Sequence, residues 1–222
     1  MRAALYWAPA PDDPLWGLGC RWLGRDAAAG LACTQPALPN IAALTEAPRQ
    51  YGFHATLRPP MRVRGGLAAF SRAAGRVAQS VTAFALPPLE LAELDGFLAL
   101  RESAPCPGLR QLADASVALT DELRLPAAEE ELQRRRAAGL SPRQDALLQR
   151  WGYPYVMEEW FFHLTLTRRL APAERAAMRD AAGVFFADAL TIPRRVEDIC
   201  VFVQDGGDFR VMERIRLSKA SF

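Results

Sequence analysis

The chain carries two kinds of apolar pattern: short runs in which apolar and polar residues alternate, and longer runs in which apolar residues recur every three or four positions. Alternation is typical of a half-buried strand, and the longer period is typical of a helix with one buried face. Strands are predicted at Ala3–Trp7, Phe84–Leu91, Gly96–Arg101, Val196–Gln204 and Phe209–Leu217, and in two similar motifs described below. Helices are predicted at Pro14–Leu23, Leu67–Val81, Pro107–Leu125 and Pro172–Ala189, with a helix-loop-helix connection over Pro126–Arg150 and either a helix or a loop over Pro36–Ala47.

The order of these elements predicts an α+β fold. The last two strands flank Asp205–Asp208, a Gly- and Asp-rich stretch typical of a hairpin turn, so we expect antiparallel pairing. Each half of the chain contributes one motif strand. We therefore expect two pseudo-symmetric lobes with antiparallel sheets facing a central cleft and helices outside.

Composition narrows the class of protein. The chain has 222 residues, half of them hydrophobic, which is enough for a substantial core in one domain of two lobes spanning 1–222. A net charge of +2 is too small to predict a stable nucleic-acid complex. The sequence contains neither an apolar run of membrane-spanning length nor a signal-peptide pattern at Met1, so we expect a cytoplasmic protein without membrane contact. Four scattered cysteines form no metal-binding pattern, and we expect no metal and no cofactor.

Two short motifs contain both histidines of the chain. The first runs from Phe53 to Leu57 as Phe-His-Ala-Thr-Leu, and the second runs from Phe162 to Leu166 as Phe-His-Leu-Thr-Leu. Imidazole gives or takes a proton near neutral pH, so two imidazoles in matched settings suggest a general acid and a general base. The alternative is that each histidine is a satisfied core residue, but two unrelated core histidines have no reason to share their flanking residues.

Strand alternation sorts the side chains around each histidine. It directs His54, Thr56 and Arg58 to one face of the first motif strand, and His163, Thr165, Thr167 and Arg169 to one face of the second. Hydroxyls and guanidinium groups hold phosphate oxygens while imidazoles move protons. The pattern thus predicts a site for a phosphate ester, although it does not tell which histidine is the acid.

The paired His-x-Thr-Leu motifs resemble those of the 2H phosphoesterase superfamily, which includes RNA ligase-like 2′,5′ enzymes and cyclic nucleotide phosphodiesterases. The extended phrases Tyr51–Pro60 and Tyr153–Leu170, with the beginning Arg2–Pro9 and the segment Ile199–Gln204, resemble a bacterial branch linked to phosphonate metabolism. Two positions depart from the branch pattern: Arg58 replaces a lysine, and Arg168 replaces a glycine. The resemblance implies a pseudo-symmetric two-lobed fold and metal-independent phosphoesterase activity.

Further candidates for substrate binding flank the motifs. Alternation directs Arg169 toward the histidine side and Arg168 away from it, so Arg58 and Arg169 are the predicted guanidinium contacts. Tyr51 could turn into the cleft at Gly52. Tyr153 and Tyr155 could stack on a base or sugar, but an aromatic cluster before a strand is more often part of a core.

These observations favour a cyclic phosphodiesterase that acts on a small ribose or nucleotide cyclic phosphate by two-histidine acid–base catalysis, linked by resemblance to phosphonate breakdown. His54, His163, Thr56 and Thr165 are the predicted catalytic residues, and the predicted partner is a small phosphorylated substrate. Two alternatives stay open: processing of RNA ends that carry a 2′,3′-cyclic phosphate, and a regulatory module that binds a nucleotide or phosphonate without turnover. The motifs do not define the exact substrate, because one fold serves many substrates.

Overall fold

The computed structural model describes residues 1–137 and 139–219, and it confirms the α+β class. The helices are α1 (Pro14–Leu23), α2 (Ile41–Leu44), α3 (Glu46–Arg49), α4 (Gly66–Ser80), α5 (Pro107–Ala118), α6 (Glu129–Arg136), α7 (Pro142–Trp151) and α8 (Pro172–Leu190). The strands are β1 (Arg2–Trp7), β2 (Arg25–Asp26), β3 (Leu31–Ala32), β4 (Ala55–Arg62), β5 (Phe84–Leu86), β6 (Leu89–Leu94), β7 (Phe97–Glu102), β8 (Leu164–Thr165), β9 (Arg194–Val196), β10 (Asp198–Gln204) and β11 (Arg210–Arg216).

Seven of the strands form one antiparallel sheet in the order β11-β10-β1-β4-β8-β7-β6. The expectation of two separate sheets therefore needs correction, because the motif strands β4 and β8 join the two halves edge to edge. The junction is narrow: β8 is two residues long, and Ala55 opposite Leu164 is the one residue pair that links it to β4. The two motifs consequently lie side by side at the centre of the sheet.

The two faces of the sheet are covered differently. In β1, Ala3, Leu5 and Trp7 belong to the main core, whereas Ala4 and Tyr6 belong to a smaller cluster on the opposite face. Helices α4, α5 and α8 contact strands of the sheet and cover the main core. Since Ala55 and Leu57 also belong to the main core, alternation leaves His54 and Thr56 on the less covered face.

Local chemistry explains where several elements begin and end. Helix α1 has the predicted bounds because the Asp13 carboxylate accepts a hydrogen bond from Leu15 N (2.9 Å) and Gly24 ends the helix with φ +81°. The predicted strand Phe84–Leu91 is divided at Pro87 and Pro88, which cannot donate ladder hydrogen bonds. As a result β5 pairs with β9, and β6 alone pairs with β7.

The connection between the two halves is helical but interrupted. The helix predicted to extend from Pro107 to Leu125 ends at Ala118 and is followed by a 3₁₀ turn, Asp121–Leu123. In the described part of the chain, no helix is both long and apolar enough to cross a membrane.

Candidate active site

The four motif side chains are brought together by the pairing of β4 with β8. Ala55 lies directly opposite Leu164 in an antiparallel register. Extending that register by one residue in each direction sets His54 beside Thr165 and Thr56 beside His163. That register would set each histidine opposite the threonine of the other motif, and of the four residues His54 and Thr165 line one cavity. A local two-fold axis passes between Ala55 and Leu164.

The backbone fixes the tautomer of His54. Its Nδ1 lies 2.9 Å from the carbonyl oxygen of Gly52, which accepts a hydrogen bond and so requires a proton on Nδ1. Its Nε2 lies 3.1 Å from Thr56 Oγ1, so the unprotonated nitrogen accepts a hydrogen bond from the hydroxyl. Gly52 itself has φ +80°, and a Cβ there would lie 2.5 Å from the Ala27 Cβ. A side chain at this position would therefore disturb the carbonyl that orients His54.

His163 repeats the same arrangement in the second motif. Its Nδ1 lies 3.2 Å from the carbonyl oxygen of Phe161, the residue two positions earlier, just as Gly52 is two positions before His54. Both imidazoles are thus held with Nδ1 protonated, which makes Nε2 the basic nitrogen of each ring, and in His54 that nitrogen is hydrogen-bonded to Thr56.

The aromatic surroundings of the two histidines differ. Tyr6, which is fully buried, stacks on His54 with ring centroids 3.6 Å apart and planes at 20°. Phe161 stacks on His163 at 4.7 Å and 26°, but Phe161 is itself 47% exposed. Phe97 approaches His163 at 5.8 Å in a tilted arrangement. The two histidines are both partly buried, but the ring stacked on His54 is fully buried and the ring stacked on His163 is half exposed.

Burial shifts both imidazoles toward the neutral form. It lowers the pKa of His54 from 6.5 to about 4, and the neighbouring His163 contributes to the decrease while the hydrogen bond to Gly52 opposes it. Burial also lowers the pKa of His163, against the opposing hydrogen bond to Phe161. His54 is therefore unprotonated at any pH well above 4, so its Nε2 lone pair is available to a proton donor.

A cavity of about 300 Å³ opens beside His54. Its lining is mostly apolar, with hydroxyl and guanidinium groups at one side, and comprises Ala47, Pro48, Tyr51, Gly52, His54, Phe97, Thr165, Thr167, Arg168 and Arg169. Arg169 forms an ion pair with Asp95, and Arg168 forms an ion pair with Glu174. Alternation had directed Arg168 away from this side, but β8 ends at Thr165, so strand geometry does not apply to either arginine.

Arg58 lies elsewhere, and its predicted contact with substrate needs correction. The side chain is 1% exposed and forms an ion pair with Asp121 at 3.1 Å, with further hydrogen bonds to Met61 Sδ. The cause is an irregularity in β4: Thr56 pairs with Tyr6 and Arg58 pairs with Leu5, so two residues of β4 advance for one of β1. Such a bulge breaks the alternation that predicted a cleft-facing arginine.

The three candidate tyrosines occupy different positions. Tyr51 lines the cavity, with its ring 6.2 Å from His54 and stacked on Phe209 at 5.3 Å. Tyr153 packs on a small core cluster under Arg135, whose guanidinium lies 4.8 Å from the ring, and Tyr155 is a half-exposed edge neighbour of Tyr153. The latter two do not line the cavity beside His54, which agrees with the core alternative for Tyr153.

Several residues that shape the site were missed by the sequence analysis. Tyr6 belongs to a strand whose alternation is visible, but nothing in that pattern says which residue it faces. Trp160 Nε1 donates a hydrogen bond to the Thr56 carbonyl oxygen (2.7 Å), and Trp22 Nε1 donates one to the Leu166 carbonyl oxygen (3.0 Å). The backbone of each motif therefore accepts a hydrogen bond from one indole. This correspondence between the motifs is visible only in the tertiary structure.

We searched the described residues for side chains that could bind a metal ion. Within residues 1–137 and 139–219, no group of three or more His, Cys, Asp or Glu side chains is arranged to hold a metal ion.

The two His-x-Thr motifs lie on neighbouring antiparallel strands, and in each motif the imidazole Nδ1 is hydrogen-bonded to the carbonyl oxygen two residues earlier. A family model described as "Protein of unknown function (DUF1045)" matches residues 56–210. The chain belongs to this family.

Curated relatives are about twice as long as this chain. It is 38% identical to a ribose 1,5-bisphosphate phosphokinase PhnN of Janthinobacterium sp. (strain Marseille), covering 98% of this chain and 51% of that protein. It is 36% identical to the protein of the same name in Laribacter hongkongensis (strain HLHK9), covering 99% of this chain and 53% of that protein. The chain thus spans about half the length of these relatives.

Solved structures with a similar arrangement include E. coli LigT. The complex of LigT with NADP⁺ aligns with a TM-score of 0.47 and 15% identity, and the apo form aligns with a TM-score of 0.48 and 14% identity, each over 98% of both chains. A TM-score below 0.5 at such identity is too low to transfer the ligands of LigT to this chain.

Proposed function

We propose that this protein is a metal-independent cyclic phosphodiesterase that opens a small ribose cyclic phosphate by two-histidine acid–base catalysis. The observation that carries the proposal is the matched pair of imidazoles, each with Nδ1 donating to the carbonyl two residues earlier, which makes Nε2 the nitrogen that can take or give a proton. A purely structural histidine has no need of a fixed tautomer repeated across a two-fold axis. A site that only binds phosphate would gain more from permanently charged arginine than from histidine, which loses its charge near neutral pH.

The chemistry follows from the environment of each imidazole. Neutral His54 accepts a proton at Nε2 from a water molecule whose oxygen attacks phosphorus, and protonated His163 donates its Nε2 proton to the ribose oxygen that leaves. One P–O bond forms and one breaks, and the product is a phosphate monoester. In the substrate complex the Thr56 hydroxyl turns from His54 Nε2 to a non-bridging oxygen, which frees that nitrogen for the attacking water. Thr165 donates to the other non-bridging oxygen, and both hydrogen bonds stabilise the charge that develops there.

The size of the cavity supports a small substrate. A volume of about 300 Å³ lies at the lower end of the range for small-molecule sites and suits a phosphorylated pentose. Arg168 and Arg169 line this cavity and would contact a second phosphate of such a substrate if they left their carboxylate partners.

The names of the relatives suggest where the product goes. A phosphokinase needs a nucleotide phosphate site, yet this chain has one lysine, Lys219, and no Gly-rich loop ending in Gly-Lys-Ser/Thr. We therefore assign the kinase activity of those proteins to the part that this chain does not match. Hydrolysis of the 1,2-cyclic phosphate of ribose 5-phosphate at O2 gives ribose 1,5-bisphosphate, the compound named in the relatives. The two activities would then be consecutive.

A nucleotide substrate is the second candidate, and the exposed ring of Phe161 beside His163 favours it. Unstacked bases bind on such aromatic surfaces. In this version the substrate is a nucleoside 2′,3′-cyclic phosphate or the cyclic phosphate end of an RNA.

A panel of substrates in the presence of EDTA tests the proposal. We expect the 1,2-cyclic phosphate of ribose 5-phosphate to have a kcat/KM at least 10-fold above those of nucleoside 2′,3′-cyclic phosphates and of short RNAs with cyclic ends. A higher value for the nucleotides would select the second candidate. Saturable binding of the cyclic phosphates without any product would identify a binding module and overturn the enzyme assignment.

A further inference from the structure

Tyr6 is held rigidly beneath His54. The ring is fully buried, and its centroid lies 3.6 Å from that of the imidazole, with the planes at 20°. The register of β1 with β4 sets Tyr6 opposite Thr56, the hydroxyl partner of His54. Phe202 supports the tyrosine ring at 4.8 Å, and Phe209 lies at 6.3 Å. The Tyr6 ring, which lies against one face of the imidazole, is therefore held in place by the two phenylalanine rings on its other side.

We infer that Tyr6 is a positioning residue for His54, whose buried ring holds the imidazole in the plane and tautomer that proton transfer at Nε2 requires. The inference rests on the proposed function for its catalytic meaning. The imidazole is otherwise held by two hydrogen bonds at its edge, to Gly52 and Thr56, and these allow the ring to tilt about the line that joins them. Contact with one ring face removes that freedom.

The aromatic ring, and not the hydroxyl group, is the part of Tyr6 that acts. Burial raises the pKa of the phenol well above its ordinary value, with further contributions from Tyr51 and Tyr153, so the group stays neutral. The ring also keeps water from one face of His54, while His163 and Tyr51 are the titratable neighbours on the cleft side. Loss of the ring is therefore expected to change both orientation and hydration of the imidazole, and loss of the hydroxyl is expected to change neither.

The second motif shows why this role is specific to His54. The ring that stacks on His163 belongs to Phe161, which is 47% exposed and lies two residues away on the same segment. Tyr6 comes from a neighbouring strand and is surrounded by core. The motifs match in sequence, but the ring that stacks on His54 comes from another strand within the core, whereas the ring that stacks on His163 is a half-exposed neighbour in the same segment.

The test compares Tyr6→Leu with Tyr6→Phe, and uses Phe70→Leu as a control for truncation of a fully buried aromatic ring in α4. Because the chain has two histidines, the ¹⁵N spectrum of labelled imidazole has two ring systems, and His163→Ala assigns them. Tyr6→Leu is expected to lower kcat about 10- to 100-fold with KM changed less than about 3-fold, since misorientation acts on the chemical step. It should also give His54 a mixed tautomer and a shifted titration. Tyr6→Phe and Phe70→Leu should match the wild type in both readouts.

The two readouts separate failure of this inference from failure of the proposed function. If Tyr6→Leu retains the wild-type tautomer, titration and kcat, the inference is wrong whatever the substrate. If the wild type hydrolyses none of the cyclic phosphates, the proposed function fails, and the imidazole spectra of the folded variants still decide whether Tyr6 orients His54. Should Tyr6→Leu fail to fold, Tyr6→Met, which also removes the aromatic plate, is measured in the same way.

Discussion

Each member of the His/Thr quartet has a separate role in the account, so single substitutions should have graded effects. His54→Ala and His163→Ala are each expected to lower kcat/KM by about 10²- to 10⁴-fold, because each removes a positioned proton acceptor or donor. Thr56→Val and Thr165→Val should cost about 10-fold by removing a hydrogen bond to phosphate. Thr191→Val, at the end of α8, is the matched control and should match the wild type. Steady-state kinetics with circular dichroism checks all five, and wild-type activity in either His→Ala variant would refute the two-histidine mechanism.

The lowered pKa values of the histidines predict an acidic optimum. The proposed mechanism requires neutral His54 and protonated His163 in the free enzyme. The first condition is met as pH rises through about 4, and the second is lost as pH rises through the pKa of His163, which burial holds below 6.5. The profile of kcat/KM should therefore be a bell whose maximum lies below pH 6.5, with limbs that belong to the coupled pair.

Measurement of kcat/KM between pH 4 and 9 checks this profile, with His163→Ala as the comparison. The variant should lose the basic limb. A wild-type maximum at or above pH 8 would contradict the assignment of a neutral base and a protonated acid.

At the residue scale, the sequence was informative where a motif repeats and silent where a contact depends on packing. The four quartet residues could be named because the two motifs share their spacing. Tyr6 could not be assigned to His54, since the pairing of β1 with β4 involves residues about fifty positions apart. Arg58 was misassigned because a bulge is invisible in an alternating pattern.

At the element scale, the Arg58–Asp121 pair ties strand β4 to the 3₁₀ turn after α5. Arg58 is 1% exposed, and Asp121 also forms ion pairs with Arg124 and Arg150. Asp121→Ala is expected to lower the free energy of unfolding by about 3–5 kcal/mol, because it leaves a buried guanidinium without a counter-charge.

The neighbouring residue provides the control for this prediction. Glu122 pairs with Arg76 on the surface, with both side chains at least half exposed, so Glu122→Ala should change stability by less than about 1 kcal/mol. Urea unfolding of both variants measures the difference. Equal stabilities would show that burial of Arg58 does not depend on Asp121.

The predictability of an element followed the strength of its local signals. Helix α1 could be bounded by Asp13 and Gly24, and the final hairpin by its Gly- and Asp-rich turn. The predicted strand Phe84–Leu91 is divided at Pro87 and Pro88, a local signal, but the pairing of its first part with β9, more than a hundred residues away, could not be predicted. Strand β8 ends at Thr165. The local sequence pattern, which continues to alternate beyond Thr165, did not predict this end.

At the scale of the whole molecule, the α+β class followed from the order of elements, but the single sheet did not. A junction made by one residue pair, Ala55 with Leu164, carries no sequence signal of its own. That junction nevertheless places the two motifs on neighbouring strands, with His54 and Thr165 lining the same cavity. The two-fold relation of the motifs is a property of the assembled sheet.

In the proposed reaction, His54 takes a proton from water as its oxygen attacks the phosphorus of a cyclic phosphate, His163 donates a proton to the leaving oxygen, and no metal takes part. The most direct measurement of this reaction is ³¹P NMR of the product formed from the 1,2-cyclic phosphate of ribose 5-phosphate in H₂¹⁸O with excess EDTA. We expect the wild type to form a phosphate monoester with one ¹⁸O atom at the hydrolysed phosphorus. Neither His54→Ala nor His163→Ala should form this product at a comparable rate. Absence of product until a specific divalent ion is added, or equal labelling by the histidine variants, would contradict the proposed reaction.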